Sequence, residues 1–400
     1  TKQLTRDQVL FLAQFSEACN KAWDDELNEK RMAEREPCIL LLMGQGGSGK
    51  TALIQEIVLP VLDALFPKDE SFDPPQTSLI VCSSWAQAEN ISTLEHKALS
   101  CHTACHMRVQ GEYRNKAMLP GEKQSLLEQR WGNKRCLIVE EVSLISPELL
   151  NMVLYRSFHG RREHWAVPEN KYDKPQGAFG RMPIVIYLGD FLQLPPVAAH
   201  SLLDDMSKSS KEIPPEYQMA SKLLRANPLC FELRVTNRFK DEKLKKLMAF
   251  MRSPQLTLPA DIRQYWLDIQ AQDSDPRLLA DRFQTGHMLA IYWETAARWV
   301  MMRARRDAAA LKTPLFLIQA ADSADRHMPR DDCAKLVSQY NPYETGHMHG
   351  MLGVHLGMRV RLLAPLHKSK GLVQDAEGTV VHVAVNPKDQ AAVDEALAPD

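Results

Sequence analysis

The segment Gly44-Gln45-Gly46-Gly47-Ser48-Gly49-Lys50-Thr51 constrains the fold more than any other stretch of the chain. It follows the apolar run Ile39-Leu40-Leu41-Leu42-Met43 and leads into residues 51–58, whose apolar positions recur at helical spacing. Strand, glycine turn and helix in that order build a cradle for phosphate. Backbone N–H groups close around a β-phosphate where glycines leave room, a lysine neutralises β/γ charge, and the following hydroxyl holds Mg²⁺. Lys50 and Thr51 fit the last two roles. Average residue usage produces this pattern in roughly 1–2% of chains of this length, so a plain glycine-rich turn is set aside.

A phosphate site also needs carboxylates to hold the outer shell of the metal and to polarise water. Leu137-Ile138-Val139-Glu140-Glu141 is an apolar strand ending in such a pair. Alone, an acidic pair at a strand end is usually a solvated face; downstream of a phosphate loop it becomes a candidate. Further short apolar runs at residues 78–82, 136–139 and 183–188 alternate with helical stretches such as residues 147–158. That alternation predicts an α/β fold, a parallel sheet covered by helices. Residues 159–181, rich in Arg, Gly and Pro, are expected to form a surface insertion, and residues 201–216 are a second polar stretch. Beyond them the rhythm restarts at residues 231–235 and continues through a helix at 241–251, a run at 288–292, a helix at 294–309 and a run at 315–319. A domain boundary near residue 228 follows.

The bulk numbers narrow the class. Four hundred residues, 44% hydrophobic and 25% charged, exceed what one core organises, so two or more domains are expected. A net charge of −1 provides no global basic field, and any nucleic-acid site must be a local groove. Eight irregularly spaced cysteines suit reduced thiols of an intracellular protein, in nucleus or cytoplasm. No stretch approaches a membrane span and Thr1-Lys2-Gln3-Leu4 opens no signal peptide. The lack of an initiator Met suggests an excerpt of a longer chain.

Two rival motifs are present. Asn170-Lys171-Tyr172-Asp173 matches a guanine-reading N-K-x-D, but no strand precedes it, and the fitting D-x-x-G, Asp375-Ala376-Glu377-Gly378, lies on the wrong side of it. Cys101-His102-Thr103-Ala104-Cys105-His106 crowds four potential metal ligands into six residues, whereas structural zinc takes ligand pairs from separated elements.

Gly189-Asp190-Phe191-Leu192-Gln193-Leu194-Pro195-Pro196-Val197 resembles motif III of the Pif-type and RecD-like helicases of superfamily 1. Other segments resemble that family's motifs in order. Leu4-Thr5-Arg6-Asp7-Gln8 resembles its Q motif, Ser100-Cys101-His102 its Thr-x-His, and Glu140-Glu141-Val142-Ser143-Leu144 its Asp-Glu-Ile-Ser-Met box. Asn237-Arg238-Phe239 resembles motif IV, and residues 356–363 with 370–373 resemble the approach to its SH3-like insertion. The resemblance implies an ATP-dependent 5′–3′ DNA helicase using ATP and Mg²⁺, with single-stranded DNA and DNA forks as partners and no membrane, as a monomer, in repair, recombination or telomere maintenance. It implies that Gln8 reads adenine, Gln193 senses the γ-phosphate, Arg238 reaches the γ-phosphate across a domain cleft, and His102 and Phe191 touch DNA. Thr51 and Glu140 become the metal ligands, and Lys50, Glu140, Glu141, Gln193 and Arg238 the catalytic set.

The implied architecture is a RecA-like domain over residues 1–228, a partial second one over 229–355, and the start of a β-rich insertion over 356–400. Glu140 stands where the family has aspartate, Asp375-Ala376 where it has Asn-Gly, and its last two motifs, Ser-Gln-Gly and Ala-Leu-Ser-Arg, are missing. These residues alone are therefore expected to bind ATP and single strands without unwinding. The alternatives are a degenerate relative that binds nucleotide and single strands without turnover, and a P-loop ATPase that is not a helicase.

Overall fold

The structure, a computed structural model, describes residues 4–28, 35–107, 119, 121–161, 178–197, 199–204, 219–226, 229–236, 238–254, 257–273, 292–319, 329, 331–332, 335, 350–363, 366–367, 370, 372, 376–388 and 390–397. These residues form two compact units, one up to Leu258 and one from Pro259.

The first unit is built on six parallel strands: β1 (Cys38–Gly44), β2 (Ser78–Cys82), β3 (Ala98–Ser100), β4 (Cys136–Glu140), β5 (Ile184–Gly189) and β6 (Cys230–Leu233). Their order across the sheet is β3-β2-β4-β5-β1-β6. β2, β4 and β5 are buried at every position, which explains why they read as unbroken apolar runs: a strand covered on both faces has no polar side to alternate with. The two-residue period still divides the side chains. Leu137 and Val139 of β4, with Val185 and Tyr187 of β5, join a core with Trp131, Leu150 and Phe179. Ile138, Ile186, Leu40 and Leu42 join a second core with Phe11, Phe15, Ile54 and Leu59. Helix Arg6–Glu26 closes that second face, with the Phe11 ring edge-on to Phe231 at 5.6 Å.

The first unit runs past the boundary expected near residue 228. β6 pairs in parallel with β1, Leu41 to Gly44 against Cys230 to Leu233, so it extends the first sheet and does not open a second. The ends of the expected insertion at 159–181 are also core. Helix Pro147–Arg161 continues through His159 to a fully buried Arg161, and the turn Ala178–Gly180 places Phe179 at zero exposure against Tyr187. Arg161 is held there by the carbonyls of Gly180, Trp131 and Lys134, which accept from its Nε and Nη1 and offset part of the cost of burying a guanidinium. Residues 170–173 lie outside the described residues.

The second unit contains helices Ala260–Asp273, Trp293–Leu311 and Gln390–Leu397. Two antiparallel strand pairs complete its described part, β7 (Phe316–Gln319) with β8 (Met351–Val354), and β9 (Arg359–Arg361) with β10 (Glu377–Thr379). Among the described residues, no helix is long and apolar enough to cross a membrane.

Candidate active site

Parallel α/β sheets present their ligand sites at the carboxyl ends of the strands. Here β1 ends at Gly44, β4 at Glu140 and β5 at Gly189, so the phosphate loop, the paired acids and the Asp190 loop emerge on one edge of one sheet. The loop turns into consecutive helical segments Lys50–Leu53, Ile54–Val58 (a π turn) and Leu59–Leu65. Gly47 has φ +82°, and a methyl group there would lie 2.4 Å from Arg238 Cβ and 3.1 Å from its backbone nitrogen. Only glycine meets both demands. Lys50 is buried, with its Nζ donating to the carbonyls of Gly44 at 2.5 Å and Gln45 at 3.4 Å. The ammonium is therefore held inside the loop, where a phosphate charge would meet it.

Across the sheet edge, the Thr51 hydroxyl donates to Glu140 Oε1 at 3.2 Å, linking the end of the loop to the end of β4 over 89 residues of sequence. Glu140 is 7% exposed. Burial pushes its carboxyl up to about 7, the neighbouring Glu141 charge adds to this, and the Thr51 hydrogen bond and Lys50 oppose it. Oε2 of Glu140 and Oε2 of Glu141 are both buried with no hydrogen-bond partner among the described residues. A carboxylate with one oxygen on the Thr51 hydroxyl and the other unpartnered, followed directly by a second acid with an unpartnered oxygen, fits a divalent cation of the Mg²⁺ type, which takes hard oxygen ligands. Glu141 itself has φ 49°, ψ 49°, a left-handed backbone that is costly for a residue with a side chain and recurs at functional sites.

The remaining predicted residues arrange themselves around this pair. Gln8 lies in the first turn of its helix, where Thr5 N–H donates to its Oε1 at 2.9 Å and Thr5 Oγ1 accepts from its N–H at 3.3 Å, a reciprocal capping box. Its Nε2 faces the loop, 3.5 Å from where a methyl on Gly49 would stand. The amide can still donate from Nε2 and accept a second bond at Oε1. Arg238 belongs to the first unit and lies over Gly46 and Gly47, which corrects the expectation that it arrives across a cleft from a second domain. The reason is the path of the chain. β6 runs beside β1, and the Thr236 hydroxyl then donates to Gly46 O at 3.2 Å, laying the following residues on the loop.

After β5, Gln193 is exposed, and its Nε2 donates to Asp190 Oδ2 at 3.2 Å. Phe191 is half-buried against the core of that face, while Leu192, Leu194 and Val197 are exposed, the last at 96%. His102 sits half-buried in the short helix Cys101–Ala104, and burial lowers its pKa, favouring the neutral imidazole. Cys101 and Cys105 are buried free thiols, and the His106 ring meets Arg130 Nη1 at 2.9 Å, so this cluster has no metal-site geometry. Among the described residues, the His/Cys/Asp/Glu grouping close enough to share an ion is Asp63, Glu95 and His96, where Asp63 Oδ2 already meets His96 Nε2 at 2.9 Å and Lys68 at 3.4 Å.

Sequence reasoning missed Thr236 and Arg252. Arg252 Nη1 and Nη2 donate to Asp190 Oδ2 and Oδ1 at 2.7 and 2.8 Å. Desolvation alone would raise the Asp190 carboxyl, but the hydrogen bonds from Arg252, Gln193 and the Leu192 N–H outweigh it and hold Asp190 below the usual carboxylate range. A single arginine just past an amphipathic helix carries no sequence signature.

The strand, glycine loop and helix, with a buried acid two strands away in a parallel sheet, define a P-loop nucleoside-triphosphatase fold. No family model matches the chain. It is 26% identical, over an alignment of 381 residues covering 87% of this chain, to the ATP-dependent DNA helicase PIF7 of Trypanosoma brucei brucei. It spans 33% of that relative's length. The crystal structure of Pif1 helicase from Candida albicans is similar in fold, with TM-score 0.52 and 18% identity, over 96% of this chain and 69% of that one. A structure of two coordinating Pif1 helicases at forked duplex DNA matches at TM-score 0.50 and 16% identity, over 96% of this chain and 73% of that one. The chain is thus similar in sequence to a Pif-type helicase and in fold to Pif1 helicases.

Proposed function

We propose that this chain is the ATP-hydrolysing part of a DNA helicase that moves 5′ to 3′ along single strands. The observation that carries this is the convergence on one loop of Lys50, the Thr51–Glu140 pair, Gln8 and Arg238. PIF7 is an ATP-dependent DNA helicase by name, which supports the same reading.

The residues divide the work. Lys50 and the backbone N–H groups of residues 46–50 bind the β- and γ-phosphates, and Gln8 offers a donor and an acceptor to the adenine edge. Thr51 and Glu140 would hold Mg²⁺, whose chemistry is to neutralise charge on the phosphate oxygens. Glu141 orients and polarises the attacking water, Gln193 contacts the γ-phosphate side, and Arg238 stabilises the charge that develops there. His102 and Phe191 meet single-stranded DNA, the half-buried ring of Phe191 offering a stacking face. Directionality is read by displacement of streptavidin from biotin at either end of an oligonucleotide in the presence of ATP. Faster release from the 3′ end is expected; faster release from the 5′ end would overturn the polarity.

A second reading, a relative that binds nucleotide without turning it over, draws on Glu140. Its side chain is one methylene, roughly 1.5 Å, longer than that of an aspartate, and Mg²⁺ tolerates little departure from octahedral geometry. Glu140→Asp is expected to raise the hydrolysis rate or reduce the Mg²⁺ needed for half-maximal rate. If Glu140→Asp changes neither while Glu141→Gln abolishes turnover, position 140 merely supports the strand and position 141 carries the chemistry.

Base choice gives an independent check. ATP is expected to outcompete GTP, because an amide can pair bidentately with the N6/N7 edge of adenine, whereas the same edge of guanine offers two acceptors, N7 and O6. Gln8→Ala should erase that preference, measured by competition for a fluorescent nucleotide. Equal competition by GTP in the unmodified protein would reject adenine reading by Gln8.

A further inference from the structure

The turn that carries Gln193 is organised by one carboxylate. Asp190 O accepts Gln193 N–H at 3.0 Å, Oδ1 accepts Leu192 N–H at 3.1 Å, and Oδ2 accepts Gln193 Nε2 at 3.2 Å. Its own N–H points to Ser143 Oγ at 3.5 Å, in the turn that follows Glu141. A carboxylate only 2% exposed is tolerable when a countercharge is fixed beside it, and Arg252 supplies that charge as a planar two-pronged fork. Arg252 also ends helix Glu242–Met251, its N–H bonding Met248 O, while Asp241 caps the start of the same helix by accepting from the N–H groups of Lys243 and Leu244. That helix begins four residues after Arg238, which lies on the phosphate loop. The segment 236–252 is thus fastened to the sheet edge at two points, at Gly46 through Thr236 and at Asp190 through Arg252.

We propose that Arg252 is a positioning residue: through Asp190 it holds the Gln193 amide in place and ties the segment bearing Arg238 to the same loop, so that both γ-phosphate-side groups are held as one body. The proposal rests on the roles given above to Gln193 and Arg238. Lysine should replace Arg252 only in part, since an ammonium is a point charge and cannot form two parallel bonds to a carboxylate.

Two measurements test it. The first needs no catalysis: hydrogen–deuterium exchange of the nucleotide-free protein with Arg252→Ala and Arg252→Lys. The Leu192 and Gln193 amides should exchange about tenfold faster in the alanine variant and at an intermediate rate in the lysine variant, while β5 amides keep their protection. Unchanged exchange at Leu192 and Gln193 would overturn the lock. If the alanine variant does not fold, the lysine variant carries the comparison.

The second measurement is steady-state hydrolysis. Arg252→Ala should lower kcat by up to ~10²-fold, the cost of displacing a catalytic group by about 1 Å, and leave KM for ATP within roughly threefold. Combined with Gln193→Ala it should lose less than the product of the two single losses, because part of its effect passes through Gln193. Fully additive losses would overturn action through Gln193. Absence of hydrolysis in the unmodified protein would overturn the functional reading and, with it, the role given to Arg252 in catalysis, whereas the exchange experiment would still decide the lock itself.

Discussion

Lys50→Ala is expected to abolish ATP hydrolysis and leave the fold standing. The ammonium is buried inside the phosphate loop on the carbonyls of Gly44 and Gln45, so its charge is available to a phosphate with little competition from water. Loss of one preorganised charge or donor at such a site is worth roughly 10²–10³ in rate or more. Alanine removes a buried charge together with its hydrogen bonds, and the apolar core that contains Leu42, Leu53 and Ile54 keeps all its side chains. The melting temperature should therefore shift by a few degrees at most, roughly the effect of 1 kcal/mol on a unit of this size. Hydrolysis surviving Lys50→Ala at the unmodified rate would remove the phosphate site from this loop.

Arg238→Ala is expected to produce the second large loss. Its backbone and Cβ cross over Gly47 and its guanidinium reaches Gly46, which sets a permanent positive charge at the mouth of the loop. Arginines placed this way in other P-loop enzymes contribute roughly 10³–10⁵ to the rate, whether supplied in cis or in trans. Because Arg238 lies in the first unit itself, its effect should appear without any second protein. Arg238→Lys should recover only part of the rate, since a guanidinium fork bonds two phosphate oxygens and an ammonium does not. The check is single-turnover hydrolysis, which separates chemistry from nucleotide release. A loss confined to KM, with kcat unchanged, would assign Arg238 to ground-state binding and contradict a role in the transition state.

What the sequence made legible follows physical rules that act locally. The phosphate loop is legible because left-handed backbone at Gly47 and Gly49 excludes other residues. β2, β4 and β5 are legible because strands buried on both faces must be continuously apolar. Glu140 was found as an acid at the end of an apolar strand and Gln8 through the resemblance, and the structure places both beside the loop. What was not legible depends on partners distant in sequence. Cys230 to Leu233 looks like the first strand of a new domain until it is seen to pair with β1, and parallel pairing leaves no local trace of strand order. Phe179 sits between glycines in a polar stretch, and its burial is fixed by Tyr187 and helix Pro147–Arg161. Arg252 meets Asp190 across 62 residues, and nothing near either residue announces the pair. The same blindness misplaced Arg238, whose position follows from where β6 docks.

Whether the cluster of Lys50, Thr51, Glu140 and Arg238 hydrolyses ATP in response to single-stranded DNA is read directly from the steady-state ATP hydrolysis rate of the purified protein with and without a single-stranded oligonucleotide. A low basal rate is expected that rises with the oligonucleotide, rises less with blunt duplex, and is absent in Lys50→Ala under both conditions. A rate that Lys50→Ala removes but single-stranded DNA leaves unchanged would contradict the helicase reading and identify a P-loop ATPase of another kind.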